Sequence, residues 1–299
     1  MHNKSLGKGF LFAIIAYFLW GIFPLFWKLL IEVNSIHILA FRIIFSFIFV
    51  ALILLLQKNS AWLTVFKDPK KAGIIILTGI IISCNWGLYI WAVNSGHTLE
   101  ASLGYYINPL VSILLGMIFF RERLTPLQWV AVGVAFAGVL LLTILSGTLP
   151  WISLALALTF GFYALLKKKH SLSALESLGA ETLVSVPIGL TLLLFTFGSG
   201  AVIFTGMESL NYFSDLPVKT WLLLPLCGII SATPLYFFGK GAKLLPLSAL
   251  GFCQFISPTL QFICGLFIFG EDFPPHYFAA FGLIWTAVII YIISLNIKK

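Results

Sequence analysis

Charge is what this sequence is short of: charged residues fill 9% of its 299 positions, against about a quarter in an ordinary globular chain. Water cannot be the main solvent of such a surface, and no stretch is polar enough to form a separate soluble domain. Acidic residues are scarcer still, 10 beside 18 lysines and arginines. The resulting charge of +8 is spread through the short gaps between apolar runs and gathers on no single face, which argues against nucleic acid as a partner. Cysteine is also sparse. Cys84, Cys227, Cys253 and Cys264 all lie in apolar runs, without the paired short spacing that a zinc site or redox motif needs. They read as packing residues, and neither a metal nor a cofactor is expected. Neither HExxH nor GxxxxGK[ST] occurs, so a zinc protease and a P-loop pump are not supported. The histidines, His2, His37, His97, His170 and His276, map to loops or span ends, away from the membrane depth an intramembrane catalyst requires.

What the chain has is apolar length. About 20 apolar residues are needed for a helix to cross hydrocarbon, and such runs lie near 9–28, 36–56, 73–95, 99–120, 126–145, 150–167, 176–197, 219–239, 246–269 and 276–296. They are apolar all round, without the alternation of a transmembrane strand, which leaves helices as the spanning element. The expected fold is therefore an all-α membrane protein of ten transmembrane helices. Lysine and arginine in short loops favour the cytoplasm, and ten spans sort the 18 cations fifteen to three. The minority is Lys28, Arg42 and Lys219; the majority, Lys167 to Lys169 included, shares the side of both termini, which are expected to be cytoplasmic.

Sliding the chain along itself gives a gapless match at an offset of 149, which pairs Gly79 with Gly228, Pro109 with Pro258, Gly116 with Gly265, Glu122 with Glu271, Pro126 with Pro275 and Gly133 with Gly282. Offsets near 140 pair Gly21 with Gly161, Ser46 with Ser185 and Arg42 with Glu181. Residues 1–148 and 149–299 thus read as two five-helix repeats. An odd number of spans per repeat makes the second copy enter from the opposite side, giving a 5+5 inverted-repeat bundle of the kind common in secondary transporters.

Polar and helix-breaking residues inside spans mark the candidate site. Pro109, Pro234 and Pro258 are the candidate kinks. An ionisable group at mid-bilayer costs roughly 2.5–3.5 kcal/mol on insertion scales, so Arg42 and Glu181, each about two turns into its span, require explanation. The nearest candidate partners are Glu100 for Arg42 and Lys240 for Glu181; snorkelling to the headgroups is the alternative. Glu181 and Glu100 are the candidate groups for coupling to protons. Asn85, Asn108 and Gln254 must find hydrogen bonds, either between helices or facing a cavity. Trp20, Tyr89, Tyr105, Tyr163 and Tyr236 complete the candidate cavity, with core packing as the alternative for each. Ala131, Gly133, Ala135 and Ala137 in span five, and Ala279, Ala280, Gly282 and Ala287 in span ten, read as helix-packing surfaces. Thr125 reads as an N-cap before Pro126.

The run GYYINPLVSILLG from Gly104, followed by FFRERLTP and QWVAVGVAFAGVLL, resembles the EamA domain of the drug/metabolite transporter superfamily. QFISPTLQFICG and FGEDFPP resemble a worn second copy. LAFRIIFS around Arg42, NWGLYIWAVNSGHTLEASLGYYINPL from Asn85, GAETL around Glu181 and ATPLYFFGKGA from Ala232 are similar to the RarD subfamily, although Phe41 stands where histidine is frequent there. The resemblance implies a central cavity lined by helices one to four and six to nine, with helices five and ten as a support. It implies a secondary or facilitative transporter of the inner membrane, as monomer or homodimer, moving a small amphipathic solute such as an amino acid, metabolite or drug by alternating access. A lipid flippase, a non-transporting sensor and an intramembrane enzyme are the competing classes.

Overall fold

The computed structural model describes residues 2–94, 97–146, 151–197, 216–270 and 276–296. Their regular elements are all helices, with no strand among the described residues. Ten helices are long and apolar enough to cross a membrane: α1 (His2–Trp27), α2 (Ser35–Leu56), α3 (Pro69–Asn94), α4 (Thr98–Phe120), α5 (Pro126–Ser146), α6 (Trp151–Lys169), α7 (Ala174–Phe197), α8 (Val218–Leu244), α9 in two parts (Leu247–Gln254 and Ile256–Ile263), and α10 (His276–Asn296). A short helix, Ala61–Thr64, which the apolar runs do not reveal, links α2 to α3 and buries Trp62. Glu271, Pro275, Lys298 and Lys299 lie outside the described residues.

Local chemistry sets the helix starts. At α5, Thr125 and Gln128 form a reciprocal capping box: the Thr125 N–H donates to Gln128 Oε1 at 2.9 Å and the Gln128 N–H to Thr125 Oγ1 at 3.3 Å. Ser173 and Glu176 repeat the device at α7. The start of α9 is capped from a distance. Glu122, in the α4–α5 connection, accepts the backbone N–H of Leu247 (2.6 Å) and of Ser248 (2.9 Å), where a carboxylate meets the positive end of the helix.

Large apolar side chains such as Leu56 and Phe267, both 76% exposed, cover the outside of the bundle where lipid would lie. Interfaces between helices depend on small residues, though not always the expected ones. Ala131, Ala135, Ala280 and Ala287 are fully buried where α5 meets α10. Gly133, Ala137 and Ala279 face outward, and a Cβ at Gly133 or Gly282 would meet nothing. The helical period is the reason: positions 131, 135 and 138 share a face, and it is Gly138 that lies against the Ala280 carbonyl.

Residues paired by the sequence offsets make matching contacts. Ser46 Oγ donates to the Gly228 carbonyl at 3.1 Å, and Ser185 Oγ donates to the Gly79 carbonyl at 3.4 Å. Gly21 lies against Leu260 as Gly161 lies against Val111. Arg121 and Gly270, also 149 apart, both have positive φ just past a helix end. Helix neighbours follow suit: α1 packs on α8 and α9, as α6 packs on α3 and α4. The two proline positions differ, however. The α4 helix runs unbroken through Pro109, whereas α9 is interrupted at Phe255, three residues before Pro258, and ends in a π-helical turn at Cys264–Ile268. They meet where α4 crosses α9: the Tyr106 hydroxyl donates to the Pro258 carbonyl at 3.2 Å, and the Pro109 carbonyl leaves no room for a Cβ at Gly251.

The tightest crossing yields a test. A Cβ on Gly228 would stand 2.2 Å from the Phe45 carbonyl carbon and 2.5 Å from the Ser46 nitrogen, both backbone atoms that cannot yield. Gly228→Ala is expected to lose about 3 kcal/mol or more and to disperse the monodisperse peak in size-exclusion chromatography. Gly133→Ala, into open space, is expected to elute like the parent.

Candidate functional site

A cavity of about 120 Å³ opens among the ends of α1, α2, α3 and α4 that lie away from the N-terminus, and is floored by α6 and the broken middle of α9. Its walls are mostly aromatic: Tyr17, Trp20, Phe23, Trp27, Trp86, Tyr89, Tyr105 and Phe160. Arg42, Asn85, Gln254, Ser257 and Gln261 supply polarity, and Pro24 and Pro258 complete the lining. Gln254, Ser257 and Gln261 stand at i, i+3 and i+7 along α9 and so share the helix face that meets this space.

Arg42 is the one guanidinium or ammonium group of the lining, and no carboxylate joins it among the described residues. Its Nε donates to Ser231 Oγ on α8 at 3.0 Å. The guanidinium carbon lies 4.6 Å from the ring centre of Trp86 and 5.2 Å from that of Trp27, within cation–π range of both. The side chain is thus clamped in the bundle and does not snorkel. The side chain of Glu100, its expected partner, lies outside the described residues. Asn85 ties α3 to α6, its Nδ2 donating to Thr159 Oγ1 (2.8 Å) and the Leu156 carbonyl (3.0 Å). Gln261 donates to the Trp20 carbonyl at 3.2 Å.

The opposite end of the bundle, on the side of the N-terminus, is sealed by a buried polar cluster. Lys167 Nζ donates to both oxygens of Glu181, at 2.8 and 2.9 Å, and the Tyr163 hydroxyl donates to the same carboxylate at 3.0 Å. Neither Lys167 nor Glu181 is more than 2% exposed. Two expectations are corrected here. Lys240 does not pair with Glu181; its ammonium lies over the rings of Phe12 and Tyr236. Nor is Lys167 a loop cation, because the last turn of α6 carries it inward, one turn after Tyr163. His170 lies 3.8 Å from Glu181. Burial, reinforced by the Lys167 charge, pushes its pKa down to about 3, so it faces the carboxylate as a neutral ring at neutral pH. Lys168 reinforces the seal by donating to the Leu245 carbonyl at the α8–α9 turn.

The cavity therefore gathers Trp20, Arg42, Asn85, Tyr89, Tyr105 and Gln254 from the candidate residues. Asn108, Tyr163, Glu181 and Tyr236 do not line it. Asn108 is buried, and its Oδ1 has no hydrogen-bond partner among the described residues. Pro109 and Pro234 are buried in α4 and α8, away from the lining. Tyr17, Phe23, Trp27, Lys167 and Gln261 were not legible as site residues; a turn-by-turn reading from Trp20 to Trp27, or from Tyr163 to Lys167, was the available signal.

Residues 7–144 match the EamA-like transporter family. The transporter YojE of Bacillus subtilis is 44% identical over 298 residues, covering 98% of this chain and 96% of that one. Protein RarD of Streptomyces exfoliatus is 44% identical, with 94% and 87% covered, and protein RarD of Escherichia coli K12 is 38% identical, with 98% and 97% covered. The chain belongs to the RarD branch of the EamA-like transporter family. This RarD-type chain is accordingly a multi-pass membrane transporter. A crystal structure with 17% identity superposes with a TM-score of 0.71 over 94% of this chain and 96% of that chain, a likeness of fold alone.

Removing one partner of a buried ion pair costs about 3–5 kcal/mol, because the other charge is left without compensation. Lys167→Met is expected to lower the thermal midpoint in detergent sharply, and Lys167→Met combined with Glu181→Leu to recover most of the loss. A double variant as unstable as the single would show that the pair is not what matters.

Proposed function

We propose that this transporter carries a small amphipathic solute across the inner membrane by alternating access, with the Arg42 cavity as its binding site and both termini in the cytoplasm. The observation that supports the reading is an aromatic-walled cavity holding Arg42, lined from the ends of α1 to α4 that lie away from the N-terminus, while Lys167, Glu181, Glu122 and Lys168 bond between elements at the other end. A cavity at one end with a tightly bonded cluster at the other is the arrangement expected of a carrier in one of its two states.

The two five-helix repeats, 1–148 and 149–299, supply the alternation. In the state described, the distal ends of α1 to α4 line the cavity. Exchange of roles between the repeats would close Phe23, Trp27 and Arg42 together and part Glu181 from Lys167, whose sequence-matched positions these are. The paired contacts of Ser46 with Gly228 and of Ser185 with Gly79 support such an exchange, as both lie at the crossing of one repeat with the other and have the same chemistry.

Proton coupling through Glu181 gains no support from its position. The carboxylate is held by Lys167 and Tyr163, outside the cavity lining, where it acts as a latch. Uptake from a metabolite mixture into proteoliposomes, with and without a pH gradient, tests these assignments. Arg42→Ala is expected to reduce uptake at least about tenfold, the scale of one lost hydrogen bond to a charged group, while the protein still inserts and elutes as a monodisperse species. Glu181→Gln is expected to respond to the gradient as the parent does. Full uptake by Arg42→Ala would make that residue an anchor, and a gradient response lost in Glu181→Gln would restore the proton role.

A further inference from the structure

Resting on the reading of the Arg42 cavity as the solute site, we infer that the solute it takes is an organic anion, a carboxylate on a compact planar apolar body, with Arg42 as its counter-ion. Arg42 and Glu181 correspond at an offset of 139, and α1 corresponds to α6 at an offset of 140, which pairs Phe23 with Tyr163 and Trp27 with Lys167. In the second half all three positions act together: Lys167 and Tyr163 both donate to Glu181, so the buried charge is neutralised by the chain itself. In the first half the same positions hold a guanidinium, a tryptophan and a phenylalanine, and all three face the cavity. The place that would hold the countercharge is occupied by an indole ring.

Arg42 therefore receives a hydroxyl and two π-faces but no anion from the residues described. Arg42 is half-buried at span depth, where a cation without an anion is costly, and its planar fork offers paired N–H donors that match a carboxylate. Ser231 takes only Nε, so the terminal nitrogens are those that could meet a carboxylate in the cavity. The remainder of the wall selects the body of the solute. Rings of Trp20, Trp27, Trp86, Tyr89 and Phe160 make the wall aromatic, and a volume of about 120 Å³ suits a body of roughly one six-membered ring. A cationic amine would meet Arg42 as a like charge with no described carboxylate to receive it, while a neutral solute would leave the guanidinium uncompensated.

Benzoate, benzamide and benzylamine form a matched set of probes, nearly equal in shape and differing in charge. Calorimetric titration of the full chain in lipid nanodiscs at neutral pH is expected to show benzoate binding at least about tenfold tighter than benzamide, with benzylamine weaker still. Arg42→Gln is expected to remove that preference while the apo thermal midpoint shows a folded protein. Arg42→Lys, which keeps the charge but loses the fork, is expected to keep the order with a smaller gap. Trp27→Glu places an internal countercharge where Lys167 stands in the other half, and is expected to lower benzoate affinity to the level of benzamide. Equal binding of benzoate and benzamide, a preference for benzylamine, or a ranking that survives both Arg42→Gln and Trp27→Glu would overturn the inference. If a neutral or cationic solute is transported and that transport still needs Arg42, the carrier reading stands and only the anionic class falls.

Discussion

Hydrocarbon offers no hydrogen bonds and no counter-ions, so each polar group in a span must be satisfied by the chain or by something the chain admits. Most of this bundle obeys the first alternative. Serines 46 and 185 cross-bond to carbonyls of facing helices, Asn85 joins α3 to α6, and Lys167 and Glu181 neutralise one another. Arg42 follows the second, being held by Ser231 and two indole rings in a position that opens on a cavity. The difference between these two solutions separates the scaffold from the site.

The scaffold is tightest where backbones touch, and the hydrogen-bond ladder of α9 is irregular at Phe255. Gly228 against Phe45 and Gly21 against Leu260 are contacts without slack. A small rotation of one helix is passed to its neighbour at such points, because packed interfaces deform in discrete steps. The break at Phe255 lies between the Glu122-capped start of α9 and the lining residues Ser257 and Gln261. On the proposed alternating access, movement at the capped end would reach the cavity wall along α9, with the Glu122 cap and the Lys167–Glu181 pair closing one face while the other is open.

The number and limits of the spans were legible because membrane helices carry a strong one-dimensional signal: the expected and observed helices differ mostly at their ends, and α5 begins at its expected cap. Interfaces were less legible. Gly133 and Gly282 have the right composition and face the wrong way, since composition does not fix which face of a helix meets a neighbour. Lys167 was hidden by its neighbours: three lysines in a row at a helix end carry the signature of a cytoplasmic loop, and only the angular position of the first turns it inward. Lys240 was the near cation along the sequence, yet it is spent on Phe12 and Tyr236. In the cavity, Arg42, Asn85 and Gln254 were visible as polar residues that the membrane had to explain. Trp27 and Phe23 were not, because in a chain with 16% aromatic residues one more ring carries no signal until its neighbours are known.

The central claim is that one cavity faces one side of the membrane at a time, and Gln261, half-buried in the lining, is the position from which to test it. A single cysteine there, in a background with Cys84, Cys227, Cys253 and Cys264 replaced, can be probed with a membrane-impermeant thiol reagent from either face of oriented vesicles. In the parent, labelling is expected from the face opposite the N-terminus. When Glu122→Ala weakens the seal, labelling is expected to rise from the N-terminal face and to fall from the other. Simultaneous labelling from both faces in the same proportion, with or without that substitution, would mean an open pore and would contradict the account.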